Sequence, residues 1–414
     1  MTFTLKQKRA VTTIQVAAIV VIVVLAAIGG AWYYTSRTAP TTSKTELTIG
    51  AAISLTGGNA ETAQYQVNSW KLWAKQVNDN GGIYVKQLGK KLQVTFKLYD
   101  DQSDAARSVT LYEKLITDDK VDLIIGPYSS TITFAVAPIA EKYKMFMLTP
   151  TAGSDQIFHQ GWKYVLELWP LASSTAGPVL DFMRTRGDIR NIAVINVAEL
   201  LARSFASGFA TASTAAGYNV VLRQEYPKGV ADLKPLLLQI KALTPDAVIA
   251  GTFFEDNVLL TRQMAEVGLN AKMFYTYIGF DQPEYVGALR NMTNGIMGQL
   301  TWLRSLPYAG VTDFYNAYQA AYNKRPIAEA ATAYAACQIM QNAIEATGSI
   351  DSATLVNYIR SNQFSTIFGP VKYDANGINI YNTIYLGQWQ NQQLQIIWPK
   401  NVTTATAIYP KPPW

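Results

Sequence analysis

The sequence predicts an α/β protein of two lobes, each a parallel sheet covered by helices, preceded by one N-terminal transmembrane helix. Three observations carry this expectation. Strand-like and helix-like patterns alternate from Leu47 to Tyr277, as they do where parallel sheets are covered on both faces. The chain has 414 residues, too many for one ordinary core. Residues 10–36 carry no charge, and Val16 to Ile28 is almost wholly apolar, enough for the ~20 residues of a spanning helix.

Lys6, Lys8 and Arg9 precede the apolar run, which places residues 1–9 in the cytoplasm and the body outside the cell. The segment 10–36 is then an anchor, or a signal whose cleavage near Gly29-Gly30-Ala31 would leave the body secreted. Residues 37–46 read as a Thr-, Ser- and Pro-rich stalk.

In the body, strands are expected at Leu47–Ser54, Leu92–Tyr99, Leu123–Gly126, Met145–Thr149, Ile192–Asn196, Asn219–Tyr226, Ala247–Gly251 and Lys272–Tyr277. The first long helix runs from about Glu61 to Asn80, with Ala63, Val67, Trp70, Ala74 and Val77 on one stripe, and Gly81-Gly82 ends it. Asp104 is placed to cap the next. Further helices are expected at Thr131–Tyr143, Ser174–Arg186, Arg203–Gly217, Leu233–Ala242 and Asp256–Gly268. After Asp281 the strands give way to three helices, Val311–Asn323, Glu329–Thr347 and Asp351–Ser361. The chain is expected to pass between lobes near Pro170, Leu300 and Gly369. One lobe would hold residues 47–170 and 301–368, the other 171–300 and 369–414. Three crossings make a hinge beside a cleft, a preferred place for ligands.

Composition narrows the function. Hydrophobic residues at 49% and charged ones at 15% fit a folded body. The net charge of +6 is concentrated before Glu46, where five cations and no acid lie, so the body carries only +1. That offers no footprint for nucleic acid. Cys337 is the only cysteine, on a helix pattern spaced for burial, so neither a disulfide within the chain nor a cysteine zinc site is expected. His159 is the only histidine, and no Gly-x-Ser-x-Gly elbow or glycine-rich phosphate loop occurs. Asp100, Asp101 and Asp104 read as a strand-end turn with a helix cap. Tyr315, Tyr318 and Tyr322 read as a packing stripe. No enzyme activity, metal or cofactor is expected.

The stretch Leu123–Thr151 carries the site. Two strands in consecutive βα units end in Gly126-Pro127-Tyr128-Ser129-Ser130 and Pro150-Thr151-Ala152-Gly153, so both loops should meet at one sheet edge. Ser130 and Thr131 also open a helix, whose free N–H groups favour an anion.

The body resembles the substrate-binding proteins of ABC importers in the branched-chain amino acid (Leu/Ile/Val)-binding group, with the type I periplasmic binding protein fold. The stretches that carry the resemblance are Ile49–Gly57, Val77–Ile83, Leu98–Asp104, Ile125-Gly126-Pro127 through Leu148-Thr149-Pro150, Phe368–Val371 and Ile408–Trp414. The resemblance implies two Rossmann-like lobes on a three-crossing hinge, closing as a monomer on a small ligand for delivery to a membrane permease. It implies ligand contacts at Tyr128, Ser129, Ser130, Thr151, Ala152 and Gly153 in the first lobe, and at Phe253 and Tyr277 in the second. Three departures stand out. The tyrosine usual after the second lobe's first strand is replaced near Leu201. Amino acid binders place a hydroxyl where Gly153 stands. They also place an acid near Tyr277 for the ligand's ammonium, whereas Tyr277-Ile278-Gly279 has none, leaving Asp281 or Glu255 to substitute. The expected ligand is a small amino acid, amide or carboxylate. The alternative is a sensory ectodomain of the same fold acting on a membrane signalling partner.

Overall fold

The computed structural model describes residues 44–414. The expected membrane segment and most of the stalk lie outside the described residues. Among the described residues, no helix is long and apolar enough to cross a membrane.

The first sheet contains β1 (Glu46–Ile53), β2 (Ile83–Val85), β3 (Lys90–Asp100), β4 (Leu123–Ile125), β5 (Met147–Thr149) and β6 (Val165–Glu167), in the order β2-β3-β1-β4-β5-β6. The second contains β7 (Asn191–Val197), β8 (Asn219–Tyr226), β9 (Ala247–Gly251), β10 (Met273–Thr276) and β11 (Met297–Leu300). It is completed by β14 (Tyr385–Gln390) and β15 (Gln393–Trp398), in the order β15-β14-β11-β10-β9-β7-β8. A separate antiparallel hairpin joins β12 (Gln363–Thr366) to β13 (Gly369–Lys372).

The expectation of wholly parallel sheets needs correction. Both sheets are mixed: β2 pairs antiparallel with β3, and β14 with both β11 and β15. The remaining pairings of the two sheets, including those of the edge strands β6 and β8, are parallel. The β14–β15 hairpin turns at Asn391 and Gln392, with φ of 48° and 64°. Tight hairpins need such angles, but they are usually marked by glycine or Asn-Gly.

The helices are α1 (Ala60–Asp79), α2 (Ala105–Thr117), α3 (Ser130–Lys142), α4 (Asp155–Phe158), α5 (Ala176–Arg186) and α6 (Leu200–Ala215). They continue as α7 (Lys234–Ala242), α8 (Phe254–Glu266), α9 (Pro283–Leu289), α10 (Val311–Tyr322), α11 (Ala328–Thr347) and α12 (Ser352–Ser361). Helix α2 starts where Asp104 caps it, the carboxylate accepting from the Arg107 N–H at 2.6 Å. The apolar stripe of α1 is buried: Trp70 stacks on Phe96 at 5.6 Å and Trp73 meets the same ring edge-on at 6.2 Å.

Helices α10 and α11 pack on α1 rather than on the second sheet. The Tyr322 hydroxyl donates to the Asn68 carbonyl at 2.8 Å, and the Trp73 indole donates to Gln341 at 3.1 Å. Tyr318 is buried in this seam between Phe314 and Tyr322, and Cys337 is wholly buried on α11. The chain therefore passes between the two halves three times: between β6 and β7, between β11 and α10, and between β13 and β14.

Strand order creates the place for a site. In the first sheet β1 lies between β3 and β4, and in the second β7 lies between β8 and β9. At each point the chain winds away in both directions, leaving a crevice at the carboxyl ends of the strands.

Candidate functional site

The two crevices face each other across one cleft. A cavity of about 230 Å³ is lined from the first half by Gly58 and Asn59 after β1, Thr62 on α1, and Tyr128 to Thr131 after β4. The second half supplies Val197 and Glu199 after β7, Leu201 on α6, and Phe253 to Asp256 after β9. All four strands are the switch-point strands. A narrower chamber shares Tyr128, Ser129, Leu201 and Phe253 with this cavity and adds Thr151, Trp169, Ile278 and Glu329. Its volume of about 10 Å³ suits one water-sized group.

Local chemistry builds the first wall. Ser129 caps α3, its hydroxyl oxygen accepting from the Ile132 N–H at 3.3 Å, and it holds φ at +79°. That angle is uncommon for a residue with a side chain and turns the loop sharply into the helix. The next hydroxyl, Ser130 Oγ, accepts from the N–H groups of Gly153 and Ser154, both at 3.2 Å. It ties the loop after β4 to the loop after β5. Thr151 Oγ1 donates to Gln66 Oε1 at 3.1 Å.

Gly153 is pressed against the strand-exit segment. A Cβ there would lie 2.3 Å from the Pro170 carbonyl oxygen and 2.8 Å from Trp169 Cδ1. A hydroxyl-bearing residue cannot occupy this position unless that segment moves, which explains one of the three departures from the amino acid binders.

The walls are joined across the cleft. Thr131 donates to Glu199 Oε2 at 2.7 Å, and Lys228 pairs with Glu199 Oε1 at 2.6 Å. Ser154 and Ser204 share a hydrogen bond at 2.9 Å. Gln282 donates to Thr62 at 2.9 Å, and Tyr65 reaches Glu284 at 3.1 Å. Apart from the Lys228–Glu199 pair, which lies within the second half and holds Glu199 in place, these contacts run between the halves and draw the walls of the cleft together.

Of the residues expected at the site, Tyr128, Ser129, Ser130 and Phe253 line the main cavity, and Thr151 lines the chamber. Ala152 and Gly153 lie buried behind the wall. Tyr277 lines neither cavity. It is only 1% exposed, and its ring stacks on Phe205 of α6 at 4.2 Å, with Tyr275 stacked on the same ring at 5.9 Å. Alternate residues of a strand share a face, so Tyr275 and Tyr277 both turn under α6. Ile278, of opposite parity, reaches the chamber. His159 is exposed and lines neither cavity.

The residue missed by sequence reasoning is Glu329, in the first turn of α11. An acid there ordinarily complements the helix dipole at the surface, so its position gives no signal. Here it is 2% exposed and lines the chamber, and its Oε2 has no hydrogen-bond partner among the described residues. Burial, reinforced by neighbouring Asp281, pushes its carboxyl well above the usual range. Asp281 does not replace it as a cleft carboxylate. It accepts from the Ala328 N–H at 3.2 Å and lies beside Arg325, which donates to the Asp281 carbonyl. Burial nonetheless keeps the Asp281 carboxyl raised. Glu255 does line the main cavity, with Asp256 beside it in the first turn of α8. Among the described residues, no cluster of three or more His, Cys, Asp or Glu could hold a metal ion.

Two α/β halves joined by three passages, meeting at a cleft of hydroxyls, rings and carboxylates at both switch points, have the architecture of a solute-binding protein. The sequence model of the family described as Periplasmic binding protein matches residues 46–393, and the chain belongs to that family. Its similarity to individual members is distant. It is 25% identical to the Leu/Ile/Val-binding protein BraC3 of Rhizobium johnstonii, covering 83% of this chain and 92% of the relative. It is 26% identical to the leucine-, isoleucine-, valine-, threonine- and alanine-binding protein of Pseudomonas aeruginosa, covering 80% and 86%. Among solved structures, LivJ of Streptococcus pneumoniae in complex with isoleucine superposes with a TM-score of 0.75 at 22% identity, covering 84% of this chain and 97% of that one. A solute-binding protein of an ABC transporter from R. palustris, in complex with benzoate, superposes with a TM-score of 0.75 at 20% identity, covering 88% and 98%.

Proposed function

We propose that this chain is the extracellular solute receptor of an ABC importer. It binds a small amino acid, amide or carboxylate between two lobes and presents it to a membrane permease. The observation that carries this reading is the cavity bounded by the switch-point strands of both sheets. A ligand there touches both halves only when they are together, so binding shifts the population towards closure. The lobes are residues 47–170 with 301–368, and 171–300 with 369–414. Tyr128, Ser129, Ser130 and Thr151 grip the polar end of the solute, and Phe253 covers it from the second lobe. Residues 10–36 anchor the body to the membrane, with the receptor acting as a monomer. Relatives that bind Leu, Ile and Val, and a fold neighbour that holds benzoate, support a solute with an apolar body and a charged or polar head.

The test is thermal denaturation of the full chain in mild detergent against branched-chain amino acids, their amides and small carboxylates. A solute at 100 times its dissociation constant adds about 2.7 kcal/mol to stability. A melting temperature unmoved by every member of the panel would refute the assignment.

A further inference from the structure

The cleft is acidic, and a buried acid beside it has an oxygen without a hydrogen-bond partner among the described residues. In the main cavity Glu61, Glu199, Glu255 and Asp256 face one cation, Lys228, and that cation is already paired with Glu199. In the adjoining chamber, Glu329 Oε2 is buried with no hydrogen-bond partner among the described residues. A buried polar atom normally has a partner, and an acid that burial holds in its neutral form ionises there only beside a positive charge. Both anomalies would be removed by the same occupant. An ammonium group is about the size of a water, the size that the chamber admits. It would donate to Glu329 Oε2 while its positive charge offsets the acidic walls. Leu201 and Phe253 line both the chamber and the main cavity, so the ligand's apolar body would lie against them in the main cavity, next to that group.

We propose that the preferred ligand is a small organic amine of net positive charge with an apolar body, its ammonium seated on Glu329. The proposal rests on the reading of this cleft as a solute site and sharpens its ligand class. A free carboxylate on the ligand is then a burden, because it must enter beside Glu61, Glu199, Glu255 and Asp256. A simple carboxylate with no amine leaves Glu329 unpaired and is repelled as well. The acid that amino acid binders place near Tyr277 is absent. Its task falls to a helix that starts some fifty residues later in sequence and is carried to the cleft by packing on α1.

The experiment compares four probes that share one isobutyl group: leucinamide, 3-methylbutylamine, leucine and 4-methylpentanoate. Each is titrated calorimetrically into the full chain in mild detergent, and into Glu329→Gln. The expected order is leucinamide and 3-methylbutylamine tighter than leucine, with 4-methylpentanoate silent. Glu329→Gln should weaken the two amines by about 30-fold or more, as for truncation of one partner in a buried charge pair. Its melting temperature without ligand should equal or exceed that of the parent, which separates lost binding from lost folding. Glu329→Met serves as a second variant without a hydrogen-bonding head. Tighter binding of leucine or 4-methylpentanoate than of the amines, or amine affinity unchanged in Glu329→Gln, would overturn the proposal while leaving solute reception standing. Silence from all four probes, and from the wider panel above, would overturn both.

Discussion

Replacing Ser130 with alanine separates two roles that the residue could play. Its hydroxyl oxygen accepts from two backbone N–H groups, Gly153 and Ser154, at 3.2 Å each, and the residue is 1% exposed. Ser130→Ala leaves both donors buried without a partner. An orphaned buried donor costs about 1–3 kcal/mol. At 3.2 Å both bonds are long, so the lower end applies, and the pair amounts to about 2–3 kcal/mol. Unfolding entropy near 2.1 cal/mol/K per residue, over a body of about 370 residues, gives roughly 0.8 kcal/mol per kelvin. The melting temperature of the ligand-free protein should therefore fall by about 3–4 °C. Ser129→Ala, which removes a single helix cap, should cost about 1 kcal/mol and so little more than 1 °C. The assay is thermal denaturation followed by circular dichroism without solute. If Ser130→Ala melts within about 1 °C of the parent yet loses solute affinity, the reasoning fails, since the hydroxyl would then serve only the ligand.

Three further perturbations test other parts of the fold. Gly153→Ser should destabilise by about 1–3 kcal/mol through overpacking, because its Cβ would strike the Pro170 carbonyl at 2.3 Å; an unchanged denaturation midpoint would contradict the close approach. Phe205→Ala removes the ring between Tyr277, Tyr275 and Phe209 and should cost about 3–5 kcal/mol. Tyr277→Phe, by contrast, should leave solute affinity within about twofold, read by calorimetry. The folded state holds protons on buried Glu329 and Glu167, both raised well above 4.5 by burial. Above pH 4.5 the unfolded chain releases those protons first, so these two groups make stability fall as pH rises towards their folded values. Glu329→Gln should flatten that slope in urea denaturation measured across pH, and an unaltered slope would count against the burial of Glu329.

Much of this was legible before any tertiary structure. Each of the eight strands expected between Leu47 and Tyr277 is present within a residue or two of its expected bounds. Long apolar runs punctuated by turns carry their own signal. The strands that went unseen have weaker patterns. β6 and β2 have three residues each, and β14 reads Tyr-Leu-Gly-Gln-Trp-Gln, with a central glycine and three large polar or amphipathic neighbours. Its partner β15 follows a turn without glycine. The site divides in the same way. Tyr128 to Ser130 and Thr151 follow strand ends, where βα order alone places loops at one edge. The burial of Tyr277 was also within reach, because it shares parity with Tyr275 on one strand.

The sequence by itself determined the alternation of elements, the two halves, and the first wall of the cleft, because these follow from local periodicity and chain order. Only the tertiary structure decided what that wall faces. Thr131 meets Glu199 across 68 positions, and Glu329 enters the chamber because α11 packs along α1. Such contacts depend on how separate helices pack and on which strands become neighbours, and a one-dimensional pattern carries neither. The same packing turns an acid at a helix start, ordinary at a surface, into a buried acid at the edge of the cleft.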